Sequence, residues 1–124
     1  METKDGKVAV YAKNRRQWRS WLQKNAGKQE PVWLILFHKG SSMQSVDRIA
    51  ATEEALCFGW IDSLCKKRDA GSYYLTFSPR NSRKSSWSQP NIERAKRLIS
   101  EGKMTEEGLR LIEIAKRKGG WQEA

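Results

Sequence analysis

Side chains that could bind a ligand are concentrated between residues 57 and 91. Gly59 and Trp60 lead to Asp62 at a point where a helical apolar pattern gives way to the alternating pattern of a strand. Arg80 follows the next alternating run, so a hairpin would bring its guanidinium near the Asp62 carboxylate. The two groups suit a bidentate ion pair that orders the following loop, which is the commoner role of such a pair. They also suit a site in which the arginine is held in place to accept an anionic ligand.

The loop after this hairpin is polar and cationic, and it contains one large aromatic residue, Trp87. Loops of this composition usually face solvent or a ligand. The candidate ligand-binding or anion-binding residues are therefore Trp60, Asp62, Lys66, Arg80, Arg83, Lys84, Ser85, Trp87, Ser88 and Asn91.

Positive charge is concentrated in the same region of a chain whose formal net charge is +10. Between Lys66 and Arg97 only Asp69 and Glu93 are acidic, whereas nine residues are basic: Lys66, Lys67, Arg68, Arg80, Arg83, Lys84, Arg94, Lys96 and Arg97. Such a charge run indicates either a solvated face, which is the commoner case, or a polyanion-binding surface. A nucleic-acid-binding domain would use these cations for backbone phosphates and Trp87 for base stacking.

The sequence gives little support for a metalloenzyme or a nucleotide hydrolase. It has no Cys or His cluster with metal-ligand spacing, no Gly-rich phosphate loop, and neither a GxSxG nor an HExxH signature. The single histidine, His38, follows an apolar run and is interpreted as a polar residue at a strand end. We expect no catalytic residue, metal or cofactor, and the alternative is a small-ligand enzyme centred on Trp60, Asp62 and Arg80.

A series of motifs runs in a specific order through nearly the whole chain. They include Trp18 and Trp21, ALCFGWID at residues 55–62, Pro79-Arg80, KSSWS at residues 84–88 followed by Asn91, and GGW at residues 119–121. In this combination the chain resembles the YdeI/OmpD-associated family, also called the bacteriocin-protection family. The resemblance implies a bacterial, cytoplasmic protein of bacteriocin protection or stress resistance, whose molecular mechanism is unknown. Its partner would be an unidentified protein or an anionic ligand.

A single domain spanning residues 1–124 is expected from the chain length, which suffices to bury a core without disulfides or metals. Cys57 and Cys65 are expected to be reduced thiols in packed positions. The longest apolar run, Val32–Phe37, is too short to cross a bilayer, and no secretion signal is recognisable. The sequence therefore predicts a soluble cytoplasmic protein without membrane insertion.

Capping residues and apolar spacing predict four helices that would position the candidate residues. The predicted N-caps are Asn14, Ser45, Ser88 and Thr105, and the predicted stops are Gly27, Gly59, Gly102 and Gly119. Trp18 and Trp21 would share one buried face of the first helix. Trp121, which follows paired glycines, would fold back onto the core.

Alternating and continuous apolar runs predict four strands. Residues 7–12 form an edge strand, Val32–Phe37 form a central strand covered on both faces, and residues 60–66 and 73–77 form the hairpin. We therefore predict an α+β fold in which a small, mainly antiparallel sheet packs with helices in the order β-α-β-α-β-β-α-α.

Overall fold

The computed structural model describes residues 1–80 and 86–123. Within these ranges the fold is α+β, with four helices and five strands. The strands are β1 (Thr3–Lys4), β2 (Lys7–Tyr11), β3 (Val32–Phe37), β4 (Trp60–Asp69) and β5 (Ser72–Pro79). The helices are α1 (Arg15–Lys24), α2 (Arg48–Cys57), α3 (Gln89–Ser100) and α4 (Glu106–Arg117). None of the helices in these ranges combines the length and apolar character needed to span a bilayer.

The strands form one sheet in the order β1-β2-β3-β5-β4. This sheet is mixed rather than purely antiparallel, because β2 and β3 run parallel on either side of the α1 connection. The remaining pairs are antiparallel. The α+β class is confirmed. The sequence pattern does not indicate β1, because two residues are too few to show alternation, and this strand moves β2 away from the sheet edge.

One face of the sheet packs against the helices and forms the larger core. β3 lies in the middle of the sheet and is buried on both faces, as its unbroken apolar sequence predicts. Trp18 and Trp60 are almost fully buried in this core, and Trp21 is half-buried with its ring stacked on Trp18 at 5.3 Å.

The predicted N-caps are confirmed for α1, α3 and α4, where Asn14, Ser88 and Thr105 accept a hydrogen bond from a backbone N–H of the first turn. The prediction for α2 is wrong. Asp47 caps that helix through the Ala50 N–H at 2.8 Å, while the Ser45 hydroxyl accepts a hydrogen bond from the Phe37 N–H at 2.9 Å. Ser45 therefore joins the preceding loop to β3.

The end of α1 also differs from its prediction. The helix stops at Lys24 with Asn25 as its cap, before Gly27. The Asn25 side-chain amide donates to the Trp21 carbonyl at 2.8 Å and satisfies one of the last helical acceptors. A left-handed glycine is therefore not needed to end this helix.

Two buried carboxylates on α2 bind arginines from neighbouring helices. Glu54 lies 2.9 Å from Arg19 of α1. Glu53 binds Arg15 of α1 at 2.8 Å and also Arg97 of α3. Buried carboxylates require such partners because their charge loses hydration, so these contacts fix α1 and α3 against α2.

The other face of the sheet is closed by its own two edges. The sheet curls so that Lys66 and Arg68 of β4 reach Asp5 and Glu2 near β1, at 2.8 and 2.9 Å. A smaller apolar cluster lies between these edges and contains Ala9, Trp33, Ile35 and Tyr74. Ion pairs across the opening thus cover a core that no helix covers.

We expect Trp18→Ala to lower the free energy of unfolding by about 3 to 5 kcal/mol, because a fully buried indole would leave a cavity. The change also leaves the Ala51 carbonyl without its 3.0 Å hydrogen bond from the indole N–H. Trp21→Ala is the matched control and should cost distinctly less, since this ring is only half-buried. Urea denaturation measures both changes. Equal losses would contradict the deeper burial of Trp18 relative to Trp21.

We expect the ion pair of Glu2 to make stability sensitive to acid. Hydrogen bonds from Arg68 and then Tyr74 lower the pKa of Glu2 from 4.5 to about 2. Because the folded pKa is the lower one, the stabilisation is complete above pH 4.5 and is lost as the pH falls towards 2.

Melting temperatures of the wild type and of Glu2→Gln should therefore converge over this pH window. Glu30→Gln removes an exposed carboxylate that has no ion pair with the described residues, and it serves as the control. A constant difference between wild type and Glu2→Gln from pH 6 to pH 2 would contradict the assignment.

Candidate functional site

Arg80 is positioned by a turn between α2 and β4. Gly59 follows the end of α2 with a φ of +77°, a backbone conformation that glycine adopts without steric cost. Its carbonyl accepts a hydrogen bond from the Arg80 N–H at 2.9 Å. Arg80 is therefore fixed beside the first residues of β4, at the end of β5.

The Arg80 side chain is buried, with 8% of its surface exposed. Its guanidinium lies over the Trp87 ring at 3.8 Å from the ring centroid, which is a cation–π contact. Nη1 is 3.5 Å from the Ser86 carbonyl, at the limit of a hydrogen bond. Nε and Nη2 are buried and have no hydrogen-bond partner among the described residues. A guanidinium normally satisfies all its donors when buried, so two orphaned N–H groups in this position are unusual.

Burial lowers the pKa of Arg80 from 12.5 to about 10, and the nearby negative charge of Asp62 opposes this shift. The side chain therefore remains a cation at neutral pH. No carboxylate of the described residues lies within ion-pair distance of it. The site thus holds a positive charge that is desolvated and not neutralised.

A cavity of about 390 Å³ adjoins this arginine. Its walls come from the segment after α1, the turn after α2, the ends of β4 and β5, and one face of α4. The lining residues are Ala26, Gln29, Phe58, Trp60, Pro79, Arg80, Glu107, Arg110 and Leu111. We call this space the Arg80 cavity. Its size suits a small molecule or a single side chain of a partner.

A second arginine reaches the Arg80 cavity but is neutralised. Arg110 donates to Glu107 through both Nε and Nη2, and the Nε contact is 3.0 Å. This contact lowers the pKa of Glu107 below its usual range, so the Glu107 carboxylate stays ionised. Arg80 therefore carries the only buried, uncompensated charge among the described residues that line the cavity.

The contribution of α4 to this cavity was not predicted from the sequence. Glu107, Arg110 and Leu111 share one face of the helix through their i, i+3 and i+4 spacing, which the sequence displays. The packing of that face against Gly59 is a tertiary contact, and nothing in the local pattern indicates it.

Trp87 is buried with 4% of its surface exposed and packs against Trp121 at 5.2 Å. Its backbone N–H donates to the Gly120 carbonyl at 2.8 Å. The prediction that Trp121 folds back onto the core is confirmed. Trp87 therefore forms the support beneath Arg80 and presents no open face on which a nucleic-acid base could stack.

The predicted ion pair between Asp62 and Arg80 is absent. Asp62 lies 3.8 Å from Arg48, the first residue of α2, which comes from a part of the chain that the hairpin pattern does not include. With Ser88 and Asn91 it lines a separate cavity of about 400 Å³. Asn91 accepts a hydrogen bond from Arg94 at 2.9 Å. The structure thus groups Trp60 with Arg80 and groups Asp62 with Ser88 and Asn91.

The remaining candidates do not join the Arg80 cavity. Lys66 points to the far side of the sheet and pairs with Asp5. Arg83, Lys84 and Ser85 lie outside the described residues. The small-ligand enzyme predicted from Trp60, Asp62 and Arg80 therefore lacks its carboxylate in this cavity.

The described lining of the Arg80 cavity contains no histidine, cysteine, serine or threonine, and its one carboxylate, Glu107, has both oxygens bound by Arg110. Nor do residues 1–80 and 86–123 bring together three His, Cys, Asp or Glu side chains that could hold a metal ion. The residues that line the Arg80 cavity are suited to binding an anion through fixed positive charge.

Comparison with known families gives one match. A sequence model of the family described as a domain of unknown function, DUF8412, matches residues 10–111. Neither the curated proteins nor the solved structures include a significant match. The matched segment contains every described residue that lines the Arg80 cavity.

We expect Gly59→Ala to destabilise the fold by about 2 to 4 kcal/mol, through backbone strain and through overpacking. A Cβ at this position would lie 2.2 Å from Leu111 Cδ1, in the wall of the Arg80 cavity. Gly102→Ala is the matched control, because Gly102 has a φ of +73° with open space around it. It should show only the strain, about 1 to 2 kcal/mol. Equal effects in urea denaturation would contradict the contact of α4 with this turn.

Proposed function

Because the chain belongs to the DUF8412 family, whose description names no activity, we propose its function from the chemistry of the Arg80 cavity: it is a binding module that takes one anionic group on Arg80. The group is a carboxylate or phosphate carried by a small molecule or by a partner protein. The observation that carries this proposal is the buried guanidinium whose Nε and Nη2 have no partner among the described residues.

A desolvated cation without hydrogen bonds destabilises a fold, and replacement of buried ionic groups by apolar ones is often neutral or stabilising. A chain that needed only packing on Trp87 could use a methionine or leucine at position 80. An arginine there is consistent with a ligand that supplies the missing acceptors.

The guanidinium geometry favours an oxyanion as that ligand. Nε and one terminal nitrogen form the fork that binds carboxylate or phosphate through two parallel hydrogen bonds. Those are the two orphaned atoms of Arg80. The stacking contact with Trp87 holds the plane of the guanidinium, so little side-chain entropy is lost when the anion binds.

The resemblance to the YdeI/OmpD-associated family gives this binding a biological setting. We propose that the protein acts in the cytoplasm in bacteriocin protection or stress resistance. It would do so by capture of an anionic group rather than by catalysis.

The decisive variant is Arg80→Met, which keeps the length of the side chain and removes its charge. We expect the stability of this variant to equal or exceed that of the wild type, because an uncompensated buried charge is lost. Phosphate and acetate should raise the melting temperature of the wild type and not that of the variant. Saturation to about 100 times the dissociation constant would stabilise the wild type by about 2.7 kcal/mol.

Arg16→Met is the matched control, since Arg16 is exposed and has no ion pair with the described residues. It should keep the full response to both anions. The proposal fails if Arg80→Met lowers the free energy of unfolding by several kcal/mol, which would make Arg80 a structural residue. It also fails if neither anion stabilises the wild type more than the variant.

A further inference from the structure

A second surface of the protein is a groove along β4, separate from the Arg80 cavity. It consists of two depressions, of about 730 and 400 Å³, and Arg48 lines both of them. The larger one extends over the β4–β5 hairpin to His38 and Lys67. The smaller one extends past Asp62 to Arg94 in the second turn of α3. We call the two together the Arg48 groove.

The cations of this groove are spaced along its length and outnumber its carboxylates. The lining residues with positive charge are Lys66, Lys67, Arg48 and Arg94, against Asp62 and Asp69. Lys66 is already paired with Asp5 on the far side of the sheet, and Arg48 lies 3.8 Å from Asp62. Asp69 is occupied by Arg68 and by the Ser72 hydroxyl. Lys67 is exposed and forms no ion pair with the described residues. The groove therefore has positive charge available to a ligand.

The N-termini of α2 and α3 both lie at the smaller depression, with Arg48 and Gln89 as their first residues. The Asp47 carboxylate caps α2 and compensates the positive end of its dipole. α3 is capped by the neutral Ser88 and has no acidic residue in its first turn, so the positive end of its dipole adds to the charge of the side-chain cations.

An exposed aromatic surface lies beside the unpaired lysine. The His38 ring packs over Tyr73 at 5.1 Å between centroids and 31° between planes. Tyr73 is half-buried, whereas His38 is exposed, so the imidazole packs against Tyr73 and remains accessible from solvent. A flat ring fixed on one face and open on the other is a stacking platform for a second flat ring.

From this combination we propose that the Arg48 groove binds single-stranded nucleic acid. Lys67, Arg48 and Arg94 contact successive backbone phosphates, and His38 stacks on a base. Open cationic grooves with adjacent aromatic platforms bind single strands with little sequence preference. An acidic polypeptide would satisfy the cations, but it would leave the aromatic platform without a partner. The proposal does not depend on the Arg80 cavity.

The test is titration of a labelled oligonucleotide of about a dozen nucleotides with the full chain at several salt concentrations. Wild-type affinity should fall linearly with salt on a double logarithmic scale. Lys67→Ala should lower both the affinity and the slope, the slope by about 0.7 for one phosphate contact. His38→Ala should lower the affinity by about 5- to 150-fold, the range for one lost stacking contact, with little change of slope.

Lys28→Ala is the matched control, because Lys28 is an exposed lysine outside the groove without an ion pair to the described residues. It keeps the net charge of the Lys67 variant and should bind like the wild type. Equal effects of Lys28→Ala and Lys67→Ala would overturn the proposal, since binding would then follow net charge alone. Absence of binding at low salt would overturn it as well.

Two further measurements distinguish nucleic-acid binding at the Arg48 groove from an acidic protein partner and from binding at the Arg80 cavity. Poly-glutamate that competes as well as the oligonucleotide, together with no effect of His38→Ala, would identify an acidic protein partner and overturn the nucleic-acid assignment. Arg80→Met should bind the oligonucleotide normally. Loss of oligonucleotide binding in that variant would place the strand at the Arg80 cavity and likewise overturn the assignment to the groove.

Discussion

The helical layer depends on the neutralisation of two carboxylates that α2 carries into the interior. Glu54 is 2% exposed and Glu53 is 9% exposed, which is too deep for water to solvate either charge fully. Arginines reach them from α1 and α3, so ion pairs of buried carboxylates run between helices. Loss of one arginine would leave a buried carboxylate uncompensated. The positions of α1 and α3 against α2 therefore depend on each other. The turn between α2 and β4, which contains Gly59, follows directly from the end of α2.

Against this background Arg80 differs in kind from the other buried charges. Glu53 and Glu54 each find an arginine within 2.9 Å, whereas Arg80 has an aromatic ring, one marginal carbonyl contact and no carboxylate among the described residues. The fold thus pairs its buried carboxylates in the helical layer, whereas it leaves the buried Arg80 guanidinium beside a cavity without a carboxylate partner. An unpaired buried charge costs stability, which is the basis of the proposal that a ligand supplies the missing acceptors.

Local patterns predicted every element of the described residues except β1, and they failed where distant segments meet. The caps Asn14, Ser88 and Thr105 follow from residue type and spacing, because capping involves only the neighbouring turn. Ser45 and Asp47 are both competent caps two residues apart, and the choice between them was decided by a contact of Ser45 with β3. Charge counting failed for the same reason. Arg97 was counted in the cationic excess, yet it binds Glu53 in the helical layer.

The sequence predicted the candidate site only in part, and the reasons are again physical. Arg80 and Trp60 stood out by residue type, and they do meet at one cavity. The pairing with Asp62 was inferred from hairpin geometry alone, which cannot show that Arg48 approaches from α2. A charge pattern along a chain therefore identifies candidate residues, whereas the choice of partner needs the tertiary structure.

The two proposed sites share one short segment, which determines whether they act together. Ser86 contacts Arg80 at one site and Ser88 lines the other, with Trp87 between them. Coupling between sites requires an element with two alternative arrangements that ligands can bias. Trp87 is instead held by its backbone hydrogen bond to Gly120 and by the Trp121 ring, in a buried position that defines one arrangement. The segment therefore acts as a fixed wall between the sites, and their ligands should bind independently.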